Sequence, residues 1–136
     1  MPKNDIASLL KAFDALPKAA RDSIRPSIEK GADEMVTRMR SLAPVASGKL
    51  RSSIQYEMTS PLSARVHAGG EKTTKTINDK RGIAAYDFDY SLAVEFGTKE
   101  MHSQAFFWPS YRTTKKRVRR RVDRAISNAV KDTWSK

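Results

Sequence analysis

VEFGTKEMHSQAFFWPSYRTTKKRVRRRVDR, residues 94–124, sets a Gly-Thr turn, an aromatic block ending in Pro and a strongly basic segment in direct succession. Gly97-Thr98 turns the chain, and Pro109 suits the first position of a helix, so a long helix is predicted over 109–133. Val118, Val122, Ala125, Ile126, Ala129 and Val130 fall three and four apart and give that helix a single apolar stripe. This order suits a small domain that docks on other proteins and lies close to a polyanion. It does not suit an active site.

Working outward, the segment before the turn changes to a period of two. Tyr86, Phe88 and Tyr90 alternate in a predicted strand, and Ser91 to Phe96 either continues it or makes a helical turn. Ile54, Tyr56 and Met58 alternate before Ser60-Pro61, and Leu62, Ala64, Val66 and Ala68 alternate after it, which predicts an antiparallel hairpin with one face on the core. Between these units GGEKTTKTINDKRG, residues 69–82, reads as a long polar loop.

Further upstream, Ala20, Ile24, Ile28, Ala32, Met35, Val36, Met39 and Leu42 form one helical stripe, so Lys18 to Leu42 is predicted as a long helix. Pro26 removes one backbone bond inside it, which predicts a kink or a restart, and Ala43-Pro44 closes it. Asp5 to Leu16 reads as a short amphipathic helix on Ile6, Leu9, Leu10 and Phe13, capped by Asn4 or Asp5 and ended by Pro17. Gly48 permits a tight turn, and Ser47 is placed to cap a brief helical turn through Ser52.

The chain has 136 residues, enough for one domain and too few for two ordinary ones, so residues 1–136 are read as a single unit. Net charge is +11, spread unevenly: residues 1–68 carry 11 Lys/Arg against 7 Asp/Glu, and residues 69–136 carry 15 against 8. Such a balance points to nucleic acid, an acidic partner or a membrane surface without choosing among them. The absence of cysteine excludes disulfides, thiolate nucleophiles and Cys-ligated metals. No apolar run approaches membrane-spanning length, and MPKNDIASLL lacks the plan of a signal peptide, so no membrane association is expected.

Eight of the thirteen residues from Arg112 to Arg124 are Lys or Arg, with Asp123 the one acid. At 100° per residue Arg117, Arg120, Arg121 and Arg124 fill an arc roughly opposite the apolar stripe, with Lys116 beside it. A solvated outer face is the plain reading. Two features argue for more. Like charges at i,i+4 repel, and Arg112, Lys115 and Lys116 lie toward the end where the helix dipole disfavours cations. Contact with DNA or an acidic partner is therefore expected at Arg112, Lys115, Lys116, Arg117, Arg120, Arg121 and Arg124. The run lacks a groove-reading motif, so contact with nucleic acid should be to the backbone.

Phe106, Phe107 and Trp108 cannot all point one way. One or two belong in the core, and the remainder is a candidate interface anchor. Glu95-Phe96-Gly97-Thr98 reads as structure: Gly97 for its backbone angle, Thr98 to bond the loop that follows, with no catalytic partner marked near Glu95. His67 and His102 lie in no metal-ligand spacing, Gly69-Gly70 is not a phosphate loop, Ser47 and Ser53 lack the setting of a nucleophile, and the carboxylates are scattered. No catalytic residue, metal or cofactor is expected.

APVASGKLRSSI (43–54) resembles an "Ala-Pro-x-x-Ser/Thr-Gly-x-Leu-Arg-x-Ser-Ile" signature, and DYSLAVEFGTKEMHSQAFFWPSY (89–111) resembles a second, "Tyr-Ala-x-x-Val-Glu-Phe-Gly-Thr, then Met…Gln-Pro-Phe-x-x-Pro". Both belong to the tail-completion or head–tail joining family of long-tailed phages, of lambda Z-type. The resemblance implies an α+β fold, with a small twisted antiparallel sheet packed by N- and C-terminal helices. It also implies a virion protein, made in the host cytoplasm, that forms a ring, usually of six copies, at the neck. The implied partners are the head connector or head-completion protein, the tail terminator or tail tube, and genomic DNA in the lumen. On that reading Lys72, Lys75, Lys80 and Arg81 of the polar loop join Phe106, Phe107 and Trp108 at protein interfaces. The alternative, motivated by charge alone, is a free sequence-independent nucleic-acid-binding protein.

Overall fold

Two long helices lie antiparallel in the computed structural model, which describes residues 17–45, 48–77 and 85–134. The first, α1 (Lys18–Leu42), places Ala20 and Ile24 against Ala129 near the far end of the last helix, α4 (Phe107–Trp134). Midway, Gly31 of α1 lies under Val118 of α4. At the other end Val36 and Met39 share a cluster with Phe106, Leu50 and Ile54. The fully buried Ile24, Val36, Met39, Leu50, Ile54 and Phe106 each contribute about 1.5–3 kcal/mol by leaving water, and the alanines less. The apolar stripes predicted on both helices therefore face each other along one seam, except that Leu42, expected in the stripe, is 39% exposed at the last turn of α1. The predicted helix of residues 5–16 lies outside the described residues.

Pro26 does not divide α1. The helix runs unbroken from Lys18 to Leu42, which corrects the expected restart. Ile24 and Ala32 are buried on either side of Pro26, so packing along both halves outweighs a penalty of about 3 kcal/mol. Asp22, whose carbonyl loses its partner, lies on an exposed turn where water can serve it.

The 43–54 segment makes a corner. Ala43 is buried at the end of α1, and Arg51 Nε donates to its carbonyl at 3.4 Å. Gly48, at φ 74°, leads into a short helix, α2 (Lys49–Ser53), with Leu50 and Ile54 in the core. Arg40 of α1 reaches over and forks onto the Ile54 carbonyl at 3.1 and 2.7 Å. Ser47, the expected cap, lies outside the described residues.

The predicted hairpin forms as β1 (Gln55–Ser60) and β2 (Ser63–His67), pairing Tyr56 with Val66 and Met58 with Ala64, with a register shift after Met58 toward the turn. The sheet differs from the expected single one. β3 (Thr74–Ile77) pairs with β4 (Tyr86–Asp89) as a separate two-stranded unit. Gly69 and Gly70, at φ 92° and 103°, swing the chain away from β2 before a 3-10 turn at Glu71–Thr73, so β3 does not extend the first hairpin. Part of the polar 69–82 loop is thus regular structure, because Thr74 and Thr76 suit a strand, paired with Asp89 and Asp87 beyond the loop. Tyr90 opens a helix, α3 (Tyr90–Phe96), rather than closing β4. α4 begins at Phe107, two residues before Pro109. Among the described residues the result is an α+β fold of two long helices and two small antiparallel sheets.

Candidate interface surfaces

Asp89 and Glu95 position everything near the aromatic block. Asp89 Oδ1 accepts from Ser91 N at 3.0 Å, capping α3, and from Thr73 Oγ1 at 2.6 Å, while Oδ2 accepts from Gly70 N at 2.8 Å. Burial alone raises its pKa, but the hydrogen bonds from Thr73, Gly70 and Ser91 together outweigh that and bring it to about 2. Glu95, almost fully buried, accepts from the backbone N–H of Phe106, Phe107 and Trp108 at 2.8, 2.9 and 3.0 Å. It is a cap for α4 supplied from α3, across the Gly97 turn. At Gly97 φ is 80°, and a Cβ there would sit 2.8 Å from Ser103 N, so the turn admits no larger residue. Thr98 Oγ1 accepts from Glu100 N and Met101 N, holding the loop as expected.

The capped turn fans out the three rings. Phe106 is 1% exposed and belongs to the core, which removes it from the surface where an interface residue was expected. Phe107 is half-buried and Trp108 is 46% exposed. Successive rings meet edge to face from Phe106 through Phe107 and Trp108 to Tyr111, at 6.5, 5.2 and 5.9 Å between centroids. Beside Trp108, Leu92 and Phe96 of α3 are 65% and 66% exposed. Together with Val66 and Ala68 they line a recess of about 260 Å³. The sequence pattern offered no sign of Leu92 and Phe96, because a seven-residue helix shows too little periodicity to assign its faces.

The basic helix does not present one uniform face. Glu34 of α1 takes both Arg117 and Arg121 of α4, the latter at 2.9 Å. Arg119 approaches Asp123 at 4.0 Å, and Lys115 Nζ lies 5.8 Å from the centre of the Tyr111 ring. Arg112, Lys116, Arg120 and Arg124 are exposed and have no ion pair or ring contact among the described residues. The dipole argument for an outside partner is also weaker than the sequence suggested. The Glu95 carboxylate already sits at the N-terminus of α4 and offsets the field there. What remains is three successive like-charged i,i+4 pairs, each unfavourable by about 0.2–0.5 kcal/mol.

Of the loop cations, Lys72 Nζ donates to the Ser52 carbonyl at 3.3 Å, and Lys75 Nζ lies 5.3 Å from the centre of the Tyr90 ring. Lys80 and Arg81 lie outside the described residues. His67 lines the recess beside Leu92, while His102 is exposed in the loop after Gly97. Among the described residues, no three His, Asp or Glu side chains gather as a metal site would need.

These features define a small α+β fold with an exposed apolar patch at Leu92, Phe96 and Trp108 and a row of exposed cations that starts one turn beyond Trp108 on α4. Residues 7–97 match the family described as "Bacteriophage HK97-gp10, putative tail-component". The chain belongs to this HK97-gp10-like family of phage tail components, a structural family rather than an enzyme family, whose place is the virion. The match spans α1 to α3 and both sheets, and ends at Gly97, before the aromatic block and the basic helix. No curated protein and no solved structure matches the chain.

Proposed function

We propose that the chain is a joining subunit of the phage neck, of lambda Z-type, which completes the tail and couples the tail tube to the head connector. Six copies would close into a ring around the DNA channel, with a head-completion protein on one side and the tail terminator or tube on the other. The observation that carries this reading is an exposed apolar patch in a member of a tail-component family: Leu92, Phe96 and Trp108 are exposed together, and cations without an ion pair follow along α4 from one turn beyond Trp108. An apolar patch of this kind is a liability in a lone subunit and suits a surface that neighbours cover. Cyclic head-to-tail contacts bury the same patch in every copy. A ring of +11 chains also surrounds DNA with positive charge that holds it without reading it.

Quantitative mass measurement of purified virions tests the proposal. About six copies per particle, lying between head and tail in a cryo-EM map, are expected from the ring symmetry. Particles that lack the chain would rule the neck role out. The exposed cation row favours a second reading, a free sequence-independent DNA-binding protein. That reading predicts binding by the isolated monomer at roughly 10⁻⁴ to 10⁻⁶ M and no incorporation into particles.

A further inference from the structure

We infer that Arg112, Lys116, Arg120 and Arg124 form a contact ridge for the sugar–phosphate backbone of duplex DNA, and that Arg117 and Arg121 are not part of it. The inference deepens the neck reading, resting on it for the presence of DNA beside the subunit. Four-residue spacing places these side chains on successive turns of one continuous helix, α4. The ridge runs about 18 Å at roughly 1.5 Å per residue. Each DNA strand carries one charge per about 3.4 Å of axis, so a ridge lying along the duplex faces about five phosphates of one strand.

Intramolecular contacts sort the helix's cations. Arg117 and Arg121 are held by Glu34, Arg119 by Asp123, and Lys115 by the Tyr111 ring. Of the eight cations between Arg112 and Arg124, the four that remain without such a contact among the described residues are the four that fall on one ridge; Lys131, also without one, lies nearly two turns beyond Arg124. Three of the four are Arg, whose planar fork matches phosphate oxygens. Between Arg112 and Arg124 no apolar residue occupies a ridge position; the exposed Trp108 stands one turn before Arg112, at the end of the row. No aromatic side chain stands in that span either, which excludes base stacking there as the mode of contact and leaves the backbone.

The test uses the purified full chain and a fluorescently labelled mixed-sequence duplex of about 30 base pairs, with anisotropy measured across a salt series. Four phosphate contacts give a slope of about −3.6 for log affinity against log salt, or about 150-fold weaker binding when salt rises fourfold. R120Q/R124Q should reduce the slope magnitude by about 1.8, and the quadruple Gln variant should abolish salt-sensitive binding. R117Q/R121Q should lower the melting temperature and leave the slope unchanged. K30Q/R38Q removes two exposed α1 charges and should change neither.

A loss in K30Q/R38Q equal to that in R120Q/R124Q would overturn the ridge, since general charge would then explain the binding. Wild-type chain that ignores duplex but binds polyglutamate would overturn DNA in favour of an acidic protein surface. Ridge variants that keep full duplex affinity, with the chain present in virions, sink this inference and leave the neck reading standing. Ridge-dependent binding by a chain absent from virions does the reverse.

Discussion

Glu95 accepts three successive backbone N–H groups at the start of α4, because the Gly97 turn carries α3 back to that helix end. Glu95→Ala leaves those buried donors unpaired and should lower stability by about 2 kcal/mol or more, read as a fall in denaturant midpoint. Glu95→Gln keeps one acceptor oxygen and should lose less; equal losses would mean that the carboxylate's second oxygen and charge contribute nothing. Asp89 makes the matching prediction in pH. Its folded pKa, about 2, lies below the ordinary value of 3.8, so its stabilisation is complete above pH 4 and is lost as pH falls toward 2. Asp89→Asn should remove that part of the acid dependence between pH 5 and pH 2, which solvent screening at this partly exposed site holds to about 1 kcal/mol. An unchanged acid profile in the variant would show that other carboxylates govern it. Neither role was legible in the sequence: a scattered carboxylate looks the same whether it faces water or a helix end.

The helix pair was far more legible, since stripes of eight and six apolar residues leave little choice about which faces meet. What periodicity could not supply was the fit between them. A Cβ on Gly31 would come within 2.5 Å of Val118 Cγ1, so Gly31→Ala overpacks the seam and should cost about 1–3 kcal/mol despite alanine's better helix propensity. Adding Val118→Ala should recover part of the loss, measured by a thermal double-mutant cycle; strictly additive losses would place the strain elsewhere. Pro26 and the cation run show the same division. Local rules predicted a kink or a restart at Pro26 and a uniform Arg face on α4. The long-range packing of Ile24 and Ala32 kept the helix whole, and Glu34, eighty-seven residues from Arg121, divided the face.

Across the whole molecule, the aromatic block joins the core to the surface over three residues. Phe106→Ala should destabilise the subunit by about 3–5 kcal/mol, while Trp108→Ala should leave the melting temperature nearly unchanged and impair incorporation into particles. Normal incorporation of a folded Trp108→Ala chain would show that this patch meets no neighbour. The two signature stretches, 43–54 and 89–111, identified the class of protein because each encodes a local shape: a helix-ending Ala-Pro with its corner, and a capped helix with its glycine turn. The sequence by itself determined the two long helices and the first hairpin, since apolar periodicity depends only on neighbours along the chain, while the α+β class was implied by the resemblance of the two signatures. The separation into two sheets, the capping carboxylates, the exposure of Leu92 and Phe96 and the choice of which arginines stay unpaired were decided by tertiary structure. Each of these depends on groups far apart in the chain, and local pattern carries no information about distances that only folding creates.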